Sequence, residues 1–278
     1  MNIVTLQTFL TIVETGSLVR ASEKLNVTQS TVTARLRGLE EVLGQTLLNR
    51  HKSGATLTPA GTKLLRYAEV MTGLWRQARQ ETSLPEGTTT ICNFGCHIDL
   101  WAGPGRSFFE TVNRIGPHMA MSASHGGQET LNRQLELGLI DIALGYQATA
   151  HGNRTIHRLR PERLALYATR PDNPIRFTPD YIYVDLGDEF RDAHAAAYSD
   201  AGISRASFDC AHWACDFLLH QGGSAYLPER IARPHLEAGT LFHIAEAPEF
   251  TRNVYLVTND VAAAEWPWLE DLIAGIET

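Results

Sequence analysis

Two sets of residues in this chain have the types and spacing to do chemistry. The first is the run Thr28-Gln29-Ser30-Thr31-Val32-Thr33-Ala34-Arg35-Leu36-Arg37. Gln pairs with adenine edges, Ser and Thr meet a base or a phosphate, and Arg pairs with guanine or the phosphodiester backbone. A helix opening at Thr28 adds an N-terminus that favours phosphate. The bland alternative is a helical hairpin with a polar, solvated face. The second set follows short apolar runs that read as strands. It comprises Gly95-Cys96-His97, Ser124-His125-Gly126-Gly127-Gln128, Leu186-Gly187-Asp188 and Ala211-His212-Trp213 beside Cys210, with Tyr146 after a further strand end. Ligands of α/β folds sit at such strand ends and at helix N-termini.

Three readings of the second set compete. A small organic anion could be held by helix N-termini, Gln128 and imidazoles that donate hydrogen bonds. A transition metal or a thiol-reactive signal could use Cys and His, which suit soft and borderline metals. However, neither Cys92-x3-Cys96-His97 nor Cys210-x-His212-x2-Cys215 has a standard zinc spacing. Finally, the cysteines could be small buried hydrophobes and the histidines could satisfy local backbone groups. Cys96 is the favoured reactive thiol, because a helix N-terminus lowers a thiol pKa. The aromatic residues Trp101, Trp213, Phe108 and Phe109 read as core. The run His157-Arg158-Leu159-Arg160 reads as a solvated strand edge or an oligomer contact. The chain has no Gly-x-Ser-x-Gly elbow, P-loop, Rossmann glycine fingerprint or metalloprotease motif. No catalytic residue, resident metal or cofactor is expected, and the chain does not read as an enzyme.

The elements that must position these residues are visible in the periodicity. Leu6, Phe9, Leu10 and Val13 mark one face of a helix over Val4–Glu14, which Gly16 ends. Ser17 caps a second helix. Thr28 caps a third, from about Gln29 to Leu43, with Val32, Leu36, Leu39 and Leu43 facing a core and Gly44 as the stop. Helix, short turn, helix is a DNA-binding arrangement. Gln45–Leu48 and Thr56–Leu57 read as two short strands around a basic tip, Asn49–Gly54, which carries Arg50, Lys52 and Ser53. Thr58-Pro59 opens a long helix to about Thr82. Its apolar side (Leu64, Leu65, Ala68, Met71, Leu74, Trp75) suits a coiled-coil or helix-pair dimer. Gly38, inside the third helix, costs about 1 kcal/mol relative to Ala.

After a linker at Ser83–Gly87, strands and helices alternate, which predicts a doubly wound α/β body. The strands are expected at Thr88–Cys96, His118–Ala123, Ile140–Leu144, Leu164–Thr169, Tyr181–Leu186, Ser207–Cys210 and Val254–Val257. The helices are expected at Trp101–Arg114, Glu129–Leu137, Glu189–Ala201, Trp213–Gln221 and Trp266–Ile276.

Composition bounds the class. The chain has 278 residues, 44% hydrophobic and 20% charged, an ordinary globular balance that excludes a disordered chain. Four cysteines are too few for a disulfide scaffold. No apolar run approaches a membrane span, and Met1–Leu10 does not read as a signal peptide, so a cytoplasmic protein without membrane partners is expected. The net charge of −7 is split: residues 1–83 carry ten Lys/Arg against six Asp/Glu, a net of +4, whereas residues 84–278 carry 14 against 25, a net of −11. A basic head on an acidic body suggests that only the head meets a polyanion.

The pattern Phe9…Gly16-Ser17…Ala21…Leu25-Asn26-Val27-Thr28-Gln29-Ser30…Val32-Thr33…Leu36…Leu39-Glu40…Leu43-Gly44…Leu47-Leu48…Arg50…Leu57-Thr58-Pro59-Ala60-Gly61 resembles the head of LysR-type bacterial transcriptional regulators. More loosely, Leu135–Leu144 and Gly222-Gly223…Tyr226-Leu227-Pro228 resemble that family's effector domain. The resemblance implies a winged helix-turn-helix at 1–58, a dimerising linker helix at 59–83, and a two-lobed periplasmic-binding-protein-like effector domain at 84–278. Lobe one would be 88–163 plus 247–278, and lobe two 164–246. It also implies that Gln29, Ser30, Thr33 and Arg35 face the major groove, that Arg37 meets the backbone, and that Arg50 and Lys52 serve the wing. Cys96, His97, Ser124, His125, Gly126, Gln128, Tyr146, Asp188 and His212 would line the effector cleft. The implied partners are a double-stranded operator, a small-molecule effector and a second pair of dimers, with RNA polymerase a further candidate. Two departures stand out: Ala34 replaces the Arg or polar residue of many members, and Cys96, His97 and His125 stand where Ser or Thr is usual. Peroxide-sensing members use a cysteine pair in lobe two, but Cys215 would lie a helical turn beyond Cys210.

Overall fold

The computed structural model describes residues 2–276 except 52–53, 85, 89, 117, 150–153, 176–177, 199–203 and 265. The chain divides into two compact units, Met1–Gly87 with Leu137–Leu139, and Thr88–Glu136 with Ile140–Thr278.

In the first unit, α1 (Ile3–Thr15), α2 (Leu18–Lys24) and α3 (Gln29–Leu43) are delimited by residues visible in the sequence. Asn2, Ser17 and Thr28 accept hydrogen bonds from the first-turn amides of the three helices. Gly16 and Gly44 end α1 and α3 at φ of 64° and 63°, where a side chain would be strained. Leu6, Phe9, Ile12, Ala21, Val32, Leu36 and Leu39 form the buried core. Leu10 and Val13 only flank it, and Leu43 is exposed, so the expected stripes are rotated slightly. β1 (Leu48–His51) and β2 (Gly54–Leu57) pair antiparallel, Leu48 opposite Leu57 and His51 opposite Gly54. The first strand thus begins three residues later than expected. Leu47 N donates to Glu40 Oε1 at 2.8 Å and Leu47 O accepts from Thr58 N at 3.0 Å, which ties this stretch to its neighbours outside the ladder. α4 (Pro59–Glu81) starts on the Thr58 cap. A Cβ on its Gly61 would lie 2.1 Å from Leu47 O, so only glycine permits this approach.

The second unit runs β3 (Thr90–Cys96), α5 (Ile98–Leu100), α6 (Arg106–Ile115), β4 (Met119–His125), α7 (Gln128–Glu136), β5 (Ile142–Gly145), β6 (Arg154–Ala168), β7 (Tyr181–Val184), α8 (Asp188–Ala197), β8 (Ala206–Phe208), α9 (Ala211–Gln221), β9 (Ser224–Pro228), α10 (Glu229–Glu237), β10 (Phe242–His243), β11 (Phe250–Asn259), α11 (Asp260–Ala263) and α12 (Leu269–Ile276). Among the described residues, nine strands form one sheet in the order β4-β3-β5-β11-β6-β9-β7-β8, with β10 also on β6. β4-β3-β5 and β8-β7-β9 are parallel, as helical crossovers require, and the two long antiparallel strands β6 and β11 join them. Two larger hydrophobic cores result, with a smaller cluster of Leu131, Leu135, Ile140, Ala143 and Val257 beside them. Phe94, Phe108, Ile142, Leu256 and Trp266 belong to the core of lobe one, and Tyr167, Val184, Phe190, Leu218 and Tyr226 to that of lobe two. Between the cores, Arg252 pairs Glu162 but Val254 pairs Leu159. The ladder therefore bulges opposite Asn253, where Pro161, which has no N–H to donate, does least harm.

Several expectations need correction. Trp101–Gly105 is not the start of a helix: Ala102 and Gly103 have non-helical dihedrals, and α6 opens only at Arg106. The Gly-Pro-Gly sequence there breaks the period. Phe108 is core, but Trp101 is exposed and Trp213 is 61% exposed. β6 starts ten residues before the expected strand, because a run rich in Arg and His hides its alternation. His157–Arg160 lies in that early part, paired to β11 alone. α10, absent from the sequence reading, carries Pro234 inside it.

Candidate functional sites

On α3 the side away from the core presents Gln29, Ser30, Ala34 and Arg37 to solvent. Thr28 Oγ1 lies 2.9 Å from Ser30 Oγ and 2.8 Å from Thr31 Oγ1, a tight hydroxyl cluster at the helix N-terminus. Thr31 and Thr33 are half-buried on the flanks. Arg35 is half-buried too: its Nη1 donates to Thr8 Oγ1 of α1 at 3.4 Å. It is thus a flank residue steadied by α1, whereas Arg37 is freely exposed. Arg50, on β1, lies 3.7 Å from Glu40 of α3. Lys52 and Ser53 fall outside the described residues. An exposed polar face on α3 beside a two-stranded wing is the arrangement that a duplex groove accepts.

In the second unit a cavity of about 280 Å³ opens at the carboxyl ends of the strands. His97, Gln128, Tyr146 and Asp188 line it, with Asp185–Arg191, Asp209 and Thr251–Asn253. Cys96, Ser124, His125, Gly126 and His212 are not among its lining residues. Cys96 is 2% exposed and its Sγ donates to His97 O at 3.3 Å. Burial pushes its thiol up to about 12, against the opposing charge of Arg230, so it is not the activated thiol expected. The three-residue α5 offers too little helix N-terminus to offset that burial. His125 is exposed, Gly126 partly so, and Ser124 Oγ lies buried without a hydrogen-bond partner among the described residues.

Two of the four expected residues that line the cavity, Gln128 and Tyr146, are committed to the scaffold. Gln128 Oε1 accepts from Tyr146 N at 2.9 Å and Gln147 N at 3.0 Å, while its Nε2 donates to Gln147 O at 2.6 Å and Asn132 Oδ1 at 3.0 Å. Tyr146 donates its hydroxyl to Glu162 Oε2 at 2.9 Å, and burial first of all raises its pKa well above the ordinary value. The Arg252 guanidinium lies 3.2 Å over the Tyr146 ring centroid. Its Nε and Nη1 are buried with no hydrogen-bond partner among the described residues. No sequence signal marks Arg252, which lies on β11 next to the bulge that β6 makes opposite Asn253.

Deeper lies a group the sequence reading did not single out. Asp99, 1% exposed, opens α5 of lobe one, yet its Oδ1 accepts from Ala211 N at 3.0 Å and His212 N at 3.4 Å at the start of α9 in lobe two. Cys210 Sγ at 3.4 Å and His212 Nδ1 at 3.2 Å also donate to it. Burial works against ionisation, but the His212 and Ala211 hydrogen bonds and nearby charge outweigh it and hold Asp99 at about 2. His97 is lowered to about 4 by burial, which exceeds the opposing effect of Asp99. Arg230 of α10 donates to Asp99 O at 2.7 Å and to Glu162 Oε1 at 2.6 Å. Among the described residues, Asp99, Cys210 and His212 bring ligand-type atoms within 4.8 Å of one another. Cys92, Cys96 and Cys215 do not join them.

The comparisons with known proteins match both halves. Residues 3–62, which span the three helices, the wing and the start of α4, match the family described as bacterial regulatory helix-turn-helix protein, lysR family. That head is a LysR-type helix-turn-helix, and the whole chain is similar to LysR-type transcriptional regulators. Over 263 residues it is 27% identical to the HTH-type transcriptional regulator HdfR of Yersinia enterocolitica, covering 91% of this chain and 88% of HdfR. The fold is that of full-length LysR-type regulators. CbnR in complex with its target DNA superposes with a TM-score of 0.73 at 18% identity, over 99% of this chain and 100% of CbnR. LysG of Corynebacterium glutamicum with bound effector Arg gives 0.54 at 20% identity, over 100% of this chain and 98% of LysG. The chain thus joins a LysR-type helix-turn-helix head to an α/β body, and its curated relatives are regulators rather than enzymes. Among the described residues, no helix is long and apolar enough to cross a membrane.

Proposed function

We propose that this regulator reads an operator with α3 and its wing and that a small organic anion in the cleft of the body modulates that binding. Gln29, Ser30, Thr33 and Arg35 enter the major groove, Thr28, Thr31 and Arg37 meet its phosphates, and Arg50, Lys52 and Ser53 grip the backbone. The observation that carries the effector reading is Arg252, whose buried Nε and Nη1 have no hydrogen-bond partner among the described residues on the wall of the cavity. A carboxylate oxygen is an acceptor that satisfies such an unpaired guanidinium N–H. Acidic residues also line the cavity, namely Asp185, Asp188, Glu189 and Asp209. They favour an anion that also carries an amino group, and LysG, of the same fold, holds Arg. The exposed stripe Tyr67, Met71, Leu74 and Trp75 on α4 supports pairing of two chains through this helix, and two such pairs would form a dimer of dimers in the cytoplasm.

The deciding experiment measures binding of the full chain to the intergenic DNA beside its own gene and to scrambled DNA. An operator reader prefers one site by a factor of about 10³ or more. Equal affinity for both DNAs would mark an architectural binder and overturn the reading. Amino acids and organic acids, screened for a shift in that affinity, then test the effector half, which fails if Arg252→Ala responds like the unaltered protein.

A further inference from the structure

We propose that Asp99, Cys210 and His212 form a binding site for a borderline transition metal, zinc(II) by class, that bridges the two lobes. Two observations carry this. The first is geometric. Tetrahedral zinc with bonds of about 2.0–2.3 Å holds its ligand atoms about 3.3–3.6 Å apart. Asp99 Oδ1 lies 3.4 Å from Cys210 Sγ and 3.2 Å from His212 Nδ1, and the three ligand groups all fall within 4.8 Å. Little movement is needed to place one ion among them.

The second observation is the state of Asp99. Capping α9 uses only Oδ1, which takes the Ala211 and His212 amides. Oδ2 of the same carboxylate is buried and has no hydrogen-bond partner among the described residues. The nearest candidate, His97 Nδ1, is 4.0 Å away, and it accepts from Asp99 N at 3.2 Å, so it cannot donate to Oδ2. An ion held at Oδ1 beside Cys210 and His212 also neutralises the charge on the oxygen that no donor reaches.

The donor set selects the ion. One sulfur, one nitrogen and one oxygen suit zinc or cobalt and not calcium or magnesium, which take oxygen alone. His212 is partly exposed and lines a second cavity, with Ala102, Cys215, Asp216, Leu219 and Arg230 among its walls, which gives the ion a way in. On binding, the Cys210 thiol loses its proton to solvent and the His212 ring proton moves from Nδ1 to Nε2. Affinity therefore rises with pH. The spacing Cys210-x-His212 conceals the site, because the third ligand lies 111 residues earlier in sequence.

The test uses the full chain, reduced and stripped of metal with a chelator, then titrated with Co²⁺. The expected result is one Co²⁺ per chain with a sulfur-to-cobalt charge-transfer band that excess Zn²⁺ abolishes. Cys210→Ser removes the band and His212→Gln weakens binding about tenfold or more, whereas Cys215→Ser and Cys92→Ser keep both. Asp99→Asn, which retains an oxygen to cap α9, also weakens binding. Far-UV circular dichroism and operator binding confirm that each variant is folded. Absence of Co²⁺ binding at millimolar metal, binding without the charge-transfer band, or a band that survives Cys210→Ser overturns the proposal. None of these outcomes bears on Arg252 or on operator recognition.

Discussion

Arg252 and Gln128 line the same cavity in opposite states. Every polar atom of Gln128 is spent on holding the Tyr146–Gln147 backbone and Asn132. Arg252 keeps two guanidinium nitrogens without a hydrogen-bond partner among the described residues. Arg252→Ala is expected to leave operator affinity unchanged and to abolish the effector response in fluorescence anisotropy, while Gln128→Ala should lower the melting temperature. A Gln128→Ala protein of unaltered stability that lost only effector response would reverse these roles. On the head, Arg35→Ala should cost about 1–3 kcal/mol on the operator and erase sequence preference. Competition with scrambled DNA checks this, and unchanged preference would show that Arg35 serves Thr8 and not a base. Gly38 has open space where a Cβ would stand. Gly38→Ala should therefore stabilise the head by about 0.5–1 kcal/mol in urea unfolding, and a loss of stability would mean that something else requires glycine there. Residue types and strand-end positions sufficed to select His97, Tyr146 and Asp188 for the cavity. They could not reveal Arg252 or Asp99, because a bulge and a contact 112 residues apart in sequence have no local signature.

At the scale of elements, what was legible follows from local chemistry. α1 was readable from its apolar periodicity and the Gly16 stop, and α2 and α3 from the Ser17 and Thr28 caps, with Gly44 ending α3. α10 was not readable, since a proline interrupts its pattern, nor was the early part of β6, whose charged residues are tolerated because only one side pairs. The α4 stripe makes its own prediction. Leu74→Glu with Trp75→Glu places two charges on that stripe and should shift the chain toward monomer in light scattering, with the helical circular dichroism retained. An unchanged oligomer would remove α4 from the interface.

Across the whole molecule, two histidines that burial lowers to about 4, His97 and His194, shape the response to acid. His194 is 6% exposed, and its Nε2 lies 2.9 Å from the Tyr181 hydroxyl within a cage of Tyr183, Phe190, Tyr198, Tyr226 and Phe250. Burial lowers its pKa from 6.5 to about 4. The unfolded chain therefore takes up this proton first as pH falls. The stability His194 contributes is complete above pH 6.5 and drains away between pH 6.5 and 4. His194→Phe is expected to flatten melting temperature against pH in that window, and an unaltered slope would assign the acid sensitivity elsewhere.

The two lobes are joined not by loose linkers but by β6 and β11, which stay hydrogen-bonded to each other on both sides of the bulge at Asn253. A joint of this kind behaves like a leaf spring. It resists opening as a gap, because opening would break ladder bonds, and it yields to twist, which a sheet already carries. A signal from the body should therefore emerge as a rotation of one lobe about the strand axis. Amides of β6 and β11 should stay protected from hydrogen exchange whether or not the cavity is filled, while protection changes gather around the cavity walls on either side of them.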